Sequence, residues 1–407
     1  MSKFWFPMDP EHYLGEMKKI QENLLNFIDE ETGVDENFQN LKVVFDEFKI
    51  VDDKNILKST LHLLSRVIDN HHRGPSFFDK IEKIITLLKS YITKYYSNLE
   101  IFNIFKRNKR ILLFLIEEKI ITMNQSIVLK LLSDKYVNRK YPEYFSPEIK
   151  PFIKENWFPK RLKNKILFKL PENFNEKRKI GENDDYLCEL IRNDLIEEFI
   201  KYVNLNNIKL NEIIIPESIY ETNSILIEKS IDSRNLHCYA LFFGSIRIFQ
   251  YLRNEIYEWP LGYAIYYAVH SRNQEIIRIV EENSKNLHYS DFLMESLKCH
   301  HNEIVEYIRD NYLQYDLLKD KEIFYLNLKL HNFEFITNNY LLFPQIFNNF
   351  EEILYHFVKY DYYYLLVDFL VKNKEIDINA KIKIIKKSQF FIMFQIQKYF
   401  NETDQIC

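Results

Sequence analysis

Apolar residues recur at helical spacing through the first third of the chain. Leu57, Leu61, Leu64 and Ile68 stand four, three and four residues apart. This spacing puts all four side chains on one face of an α-helix, where they can pack against a core. We therefore interpret residues 1–141 as a helical N-terminal region.

Another amphipathic helix is predicted just after Gly74 and Pro75, which break the chain. Ser76, followed three residues later by Asp79, resembles a capping box, in which two side chains satisfy backbone N–H groups at the start of a helix. Apolar residues then repeat with helical periodicity and are expected to face inward: Phe78, Ile81, Ile85, Leu88 and Ile92.

The helical pattern stops at a segment rich in proline and basic residues. Five of the eleven prolines lie between residues 142 and 171. Because proline lacks a backbone donor and clashes with the preceding turn, no long helix can form there. Residues 150–179 hold ten Lys or Arg and three Asp or Glu. We interpret residues 142–180 as a basic linker.

Beyond residue 181 the sequence repeats at an interval of 28 residues. Three successive units carry an apolar or small residue at the same six positions, without a gap, and such agreement at a fixed period is the signature of a repeat protein. The six columns are Leu236, Ala264 and Phe292; Ala240, Ala268 and Ser296; Leu241, Val269 and Leu297; Ile248, Ile276 and Ile304; Phe249, Ile277 and Val305; and Leu252, Val280 and Ile308.

The register of these columns predicts a pair of helices in each unit. The first three columns share one face of a first helix and the last three share one face of a second. Gly244, Arg272 and His300 fall between them, in a tight turn. One hairpin cannot bury such faces alone, but stacked hairpins can. With looser spacing on both sides, about six units fit, so we predict an all-α chain with a repeat domain at 181–400 and a tail at 401–407.

The repeat resembles that of ankyrin proteins. Residues 240–252 place a small residue in a first helix, then a glycine turn and an apolar second helix. Residues 376–381 are similar to the Asp-x-Asn-Ala segment that joins successive ankyrin repeats. The chain most resembles a divergent group, the large ankyrin-containing families of unicellular parasites, which also carry a domain of unknown function. Segments similar to that group are residues 171–174, 180–183, 190–193, 242–246 and 297–302.

This resemblance implies an ankyrin-like solenoid of helical hairpins that binds other proteins and needs no cofactor. The sequence departs from the standard repeat in two ways. No unit has the Thr-Pro-Leu-His opening, and the interval of 28 residues is shorter than the usual ~33. The missing residues are expected to shorten the turns between units, which help ankyrin proteins to bind partners. Binding here is therefore expected to use the helical faces.

Composition narrows the function further. A net charge of −4 gives no sign of nucleic-acid or membrane-surface binding. The longest apolar runs are far shorter than the ~20 residues that a spanning helix needs. The six glycines stand too far apart for a phosphate-binding loop. Four widely spaced cysteines and the lack of an apolar leader predict an intracellular chain with free thiols, cytoplasmic or nuclear.

Candidate metal-binding residues are few. Cys299, His300 and His301 form the most metal-like cluster, but adjacent residues point in different directions on a helix, and no second Cys/His pair stands at zinc-finger spacing. We therefore expect no metal here, with His300 in a turn and His301 at the surface. His71 and His72 are expected at an exposed helix end.

Other clusters have a structural interpretation beside a functional one. Residues 160–163 match a minimal nuclear-import pattern or a phosphate-binding patch, and also an ordinary solvated linker. The cluster of Trp157, Phe158 and Pro159 is expected to anchor the linker against the first repeat. Tyr360 and Tyr364 are candidates either for gap filling between repeats or for binding a partner.

The chain carries no metalloprotease, hydrolase or kinase motif. The predicted function is therefore a non-catalytic protein–protein interaction module, a scaffold or adaptor, with no catalytic, cofactor-binding or metal residue assigned and with unknown partner-binding residues. The alternative is a structural or regulatory helical domain of a homo-oligomer, with the N-terminal helices as its interface. An enzyme with an unrecognised site is the third class.

Overall fold

The computed structural model describes residues 9–133, 139–227, 235–256, 264–284, 287–312, 321–340 and 350–372. Within these ranges the chain forms twenty-four α-helices and two short 3₁₀ helices and no β-strand, so the prediction of an all-α chain is confirmed. The ankyrin-like segment at 376–381 and the end of the predicted repeat domain lie outside the described residues.

Seven helices precede the proline-rich segment in the described residues. They are α1 (Pro10–Asp29), α2 (Val34–Glu47), α3 (Lys54–Asn70), α4 (Phe77–Tyr95), α5 (Asn98–Phe105), α6 (Lys109–Glu117) and α7 (Gln125–Leu131). Ser97 and Glu100 form a capping box at the start of α5, and Asn108 and Asn124 cap α6 and α7. The capping box predicted at Ser76 was wrong, because its side chain accepts no hydrogen bond from α4.

The inward face of α4 differs from the prediction at one position. Ile81, Ile85 and Leu88 are buried as expected, but Phe77 rather than Phe78 enters the core. Phe78 is only half-buried, because it follows Phe77 by one residue and so points about 100° away around the helix. Phe78 lines a cleft instead of the core.

The segment predicted as a linker forms short helices, consistent with its prolines. They are α8 (Tyr141–Tyr144), α9 (Ser146–Ile149), 3₁₀ helices at Lys150–Phe152 and Lys160–Leu162, α10 (Lys163–Ile166) and α11 (Phe174–Ile180). Tyr144, Phe145 and Ile149 are buried. Arg178 donates a hydrogen bond to the Tyr144 carbonyl at 2.9 Å, so the two ends of the segment are tied together.

Six helical hairpins follow in the part of the chain that the structure describes. Their helices are α12 (Tyr186–Arg192) and α13 (Ile196–Leu205); α15 (Leu236–Phe243) and α16 (Ile246–Glu255); α17 (Ala264–Ser271) and α18 (Gln274–Asn283); α19 (Tyr289–Cys299) and α20 (Asn302–Tyr312); α21 (Lys321–Leu330) and α22 (Phe333–Asn339); and α23 (Phe350–Lys359) and α24 (Tyr363–Lys372). The short α14 (Ser224–Ile227) lies between the first two hairpins.

The 28-residue register matches the observed structure. All eighteen residues in the six columns are buried. The turn residues Gly244, Arg272 and His300 have φ values of 76°, 54° and 59°. After Gly244 and His300, the next backbone N–H donates to the carbonyl five residues earlier, which ends the first helix in a Schellman motif. The other three hairpins turn at Asp194, His331 and Asp361, also with positive φ.

The chain divides into two compact units, of which one comprises residues 67–301. Within this unit the first helices of consecutive hairpins pack side by side: α12 against α15, α15 against α17, and α17 against α19. This neighbour-to-neighbour packing is the local arrangement that stacked hairpins require.

The other unit comprises residues 1–66 and 302–407. Within it α1 packs against α2, α22 and α24, and α21 packs against α23. Gln21 of α1 accepts a hydrogen bond from the backbone N–H of Phe333 at 2.6 Å and donates one to the Asn332 side chain at 3.0 Å. A side chain of α1 thus caps the start of α22. The predicted domain ranges were drawn from changes in the sequence pattern and divide the chain differently from these two compact units. They stay predictions: 1–141, 142–180, 181–400 and 401–407.

Candidate functional site

A cleft of about 850 Å³ lies in the unit of residues 67–301. Its walls come from the break after α3, the start of α4, α6, the end of α11, and the ends of α12 and α15. Its lining includes Arg73, Phe78, Arg110, Ile180, Glu182 and Arg192. Its volume is within the roughly 300–1,000 Å³ typical of ligand sites.

Gly181 gives one wall of the cleft its path. It ends α11 with φ +76°, a conformation that side chains disfavour. A Cβ atom at this position would lie 3.1 Å from Cγ of Arg110. Glycine therefore lets the chain pass close to Arg110 and turn Glu182 towards Arg73.

Arg73 is the central cation of the cleft. Its guanidinium is buried, and Nη1 donates to Glu182 Oε1 at 2.9 Å and lies 3.8 Å from Glu221 Oε1. It also sits over the Phe78 ring, 5.2 Å from the centroid. Among the described residues, no acceptor lies within hydrogen-bonding distance of its Nε or Nη2. These two buried nitrogen atoms can therefore donate hydrogen bonds to an acceptor group of a ligand.

Two carboxyl groups face this one guanidinium. Burial raises the pKa of Glu182 above its usual range; Arg73 opposes the rise and Glu221 adds to it. Glu221 is held by backbone N–H groups, with Thr222 and Asn223 both donating to its Oε1 at 2.8 Å. Glu182 is therefore the carboxyl group whose negative charge depends most on Arg73 for its stabilisation.

Two further arginines line the cleft. The Arg110 guanidinium lies 5.5 Å from the centroid of Phe78, so this ring is in contact with both Arg73 and Arg110. Arg192 is held in place by the Tyr239 hydroxyl, to which Nη1 donates at 2.8 Å. Acidic side chains line the cleft as well: Asp79, Glu182, Asp184 and Glu189. The surface is thus mixed in charge, and the unsatisfied donors belong to Arg73.

The structure corrects part of the prediction for the Cys299 cluster. Cys299 ends α19 and His300 occupies the turn, as expected. His301, predicted at the surface, is 0% exposed, so that prediction was wrong. The reason is the Schellman turn: its backbone N–H bonds back to the Ser296 carbonyl at 3.0 Å, which directs the residue after the turn against the helix.

The prediction of an exposed end at His71 and His72 was also wrong. His71 is buried, and its Nδ1 donates to the Cys299 carbonyl at 2.6 Å. His72 is half-buried, and its Nδ1 donates to the His270 carbonyl at 3.0 Å. Local sequence could not indicate this, because the two carbonyls come from residues about 200 positions away.

A cluster of His270, Glu295 and Cys299 was missed by sequence reasoning. The sequence pattern groups Cys299 with the adjacent His300 and His301. On the helix, its side chain instead lies next to Glu295, one turn earlier. The useful signal was the repeat itself. His270 precedes Cys299 by 29 residues, one repeat interval plus one, and equivalent helices of consecutive units pack side by side.

The other predicted clusters are distributed over the molecule. In residues 160–163, Lys160 and Arg161 are exposed while Leu162 is buried. Trp157 packs on Phe152 and Phe158, with centroids 6.0 and 6.2 Å away.

Tyr360 lies in the turn after α23, whereas Tyr364 is buried on α24 and donates to the Asp53 carboxylate. Tyr364 is therefore buried, but it packs against Tyr13 and Asp53 of the N-terminal region and not between repeats.

No family model, curated protein or solved structure matches this chain. The likeness to ankyrin repeats rests on the residues alone. In the part of the chain that the structure describes, no helix combines the length and the apolar character needed to cross a membrane.

Proposed function

We propose that this chain is a non-catalytic protein-interaction module of stacked, ankyrin-like helical hairpins, and that the cleft in residues 67–301 receives an acidic group of its partner. The stacked arrangement is inferred from six hairpins that all turn through a positive-φ residue, and from the packing of their first helices within residues 67–301. Stacked repeats present an extended surface whose side chains vary without disturbing the core.

The observation that carries the proposal is the pair of buried Arg73 donors without an acceptor in the described residues. A buried polar group left unsatisfied costs about 1–3 kcal/mol, so a ligand that supplies an acceptor gains free energy. A carboxylate is suited to this, because it bonds a guanidinium through two parallel N–H···O contacts. Arginine and aromatic residues such as Phe78 also recur where binding energy concentrates in interfaces.

The rim of the cleft provides the first test. Ile180 lines the cleft and is 56% exposed, while Ile214 is 51% exposed and does not line it. Ile180→Glu places a negative charge beside an incoming acidic group, and is expected to weaken partner binding by roughly tenfold or more. The partner is captured from the source cell with tagged wild-type protein, identified by mass spectrometry, and then titrated with each variant.

Ile214→Glu is the matched control, and should bind within about twofold of wild type. Equal affinity of wild type and both variants would show that the partner does not use this cleft.

Analytical ultracentrifugation across a concentration series distinguishes the alternative, a homo-oligomeric domain, from the proposed interaction module. A monomer at all concentrations removes it, whereas a concentration-dependent dimer abolished by substitutions on the N-terminal helices would favour it.

A further inference from the structure

Three side chains with metal-binding atoms converge between α17 and α19. His270 lies in the last turn of α17, and Glu295 and Cys299 lie one turn apart on α19. His270 Nε2 is 3.0 Å from Glu295 Oε1 and 3.7 Å from Cys299 Sγ, and the three ligand-type atoms all lie within 4.8 Å of one another. All three residues are buried, so bulk water does not compete for them.

Two of these separations are close to the edges of a small tetrahedral site. Zinc binds nitrogen and oxygen at about 2.0–2.1 Å and sulfur at about 2.3 Å, which gives ligand-to-ligand edges of about 3.4 Å (N to O) and about 3.6 Å (N to S). The N-to-S separation already matches. The N-to-O pair needs to widen by a few tenths of an ångström, from a hydrogen bond to a coordinated edge.

The surroundings hold the three residues in place. The His270 ring stacks on Phe242, with centroids 4.9 Å apart at 27°. His71 and His72 donate to the backbone carbonyls of Cys299 and His270, so each of these two residues is tied at its main chain to the segment after α3. The two carbonyl contacts fix the backbone from which the Cys299 and His270 side chains extend.

Two further polar side chains lie near these residues. Lys298 donates to Glu295 Oε2 at 2.6 Å and leaves Oε1 to face His270. His301 is 0% exposed, and its ring lies 4.8 Å from that of His71. Neither of its ring nitrogens has a hydrogen-bond partner among the described residues, but His301 is not one of the three residues whose ligand atoms converge.

We propose that His270, Glu295 and Cys299 bind a zinc ion that ties α17 to α19, the first helices of two adjacent hairpins. The donor set of one thiolate, one imidazole and one carboxylate selects zinc over calcium or magnesium, which take oxygen ligands. On binding, the Cys299 thiol gives its proton to solvent, and the thiolate and carboxylate charges balance those of the ion. The fourth tetrahedral position is filled by water.

The test uses the full-length chain, reduced and stripped of metal by a chelator. Zinc is titrated in competition with a chromophoric chelator, and Co²⁺ is followed by absorption. One equivalent per chain and a sulfur-to-cobalt charge-transfer band are expected. Cys299→Ser should lose the band. His270→Gln and Glu295→Gln should each weaken zinc binding by more than ~100-fold, beyond the ~10–100-fold that loss of a supporting contact costs.

Cys238→Ser removes an equally buried thiol from α15 and should keep both the stoichiometry and the band. Glu295→Gln nearly preserves side-chain shape, and its far-ultraviolet circular dichroism checks that it folds. The proposal is overturned if the wild-type chain binds no equivalent of zinc, or if the cobalt band survives in Cys299→Ser.

Discussion

Replacing Arg73 with methionine is expected to lower the free energy of unfolding by about 3–5 kcal/mol at pH 7, because the buried Glu182 loses its cation and must take up a proton to stay buried. Methionine retains much of the packing volume beside Phe78, so the loss reports mainly on charge. Chemical denaturation followed by circular dichroism measures it. The double variant Arg73→Met/Glu182→Gln should recover part of the loss, since a neutral amide does not have to take up a proton on folding.

The Arg73→Met loss has a defined pH dependence. Burial already raises the pKa of Glu182, and without Arg73 the pKa of this carboxyl rises further. The folded variant then holds a proton that the unfolded chain releases, so its stability falls as pH rises from the unfolded pKa through the folded one. Because Arg73 keeps the pKa of Glu182 lower in the wild type, the variant loses more stability as pH rises over this range. The difference in unfolding free energy between wild type and variant should therefore narrow from pH 7 to pH 5.

The Arg278–Glu282 pair provides a matched control for Arg73. Its atoms are 3.5 Å apart, but both side chains are exposed. Arg278→Met should change stability by no more than about 0.5 kcal/mol. An Arg73→Met loss as small as this, or one independent of pH, would contradict the role assigned to the buried pair.

Phe292→Ala is expected to cost about 3–5 kcal/mol, because Phe292 is fully buried in the repeat column it shares with Leu236 and Ala264. The variant leaves a cavity on α19, which packs against α17. Leu205→Ala is the control: Leu205 is 71% exposed at the end of α13, and its truncation should stay within about 0.5 kcal/mol. Equal effects of the two variants would contradict the burial of this column.

The repeat columns were predictable because each depends on local geometry. A residue such as Ala268 must face inward wherever its helix packs, since positions four residues before and one after it are also apolar. The turn at Gly244, Arg272 and His300 followed from the gap between two apolar faces. Only Gly244 has the residue type that favours positive φ, so the column was recognisable by its position rather than by its residues.

The cleft and the buried cluster were not predictable in the same way. Arg73 meets Glu182 across 109 residues, and His71 meets the Cys299 carbonyl across 228. Such pairs depend on which helices become neighbours, and periodicity describes only which side of each helix is buried. His301 illustrates the limit. Its polar type suggested the surface, while the turn before it directed the ring inward.

The most direct test of partner binding through the cleft is cross-linking from a defined position. A photoreactive amino acid is placed at Ile180 in one chain and at Ile214 in another, and both are irradiated in the source cell. A cross-link to one protein from position 180, mapped to a segment of that protein containing Asp or Glu and absent from position 214, is the expected result. Equal cross-links from both positions, or from position 214 alone, would contradict the account.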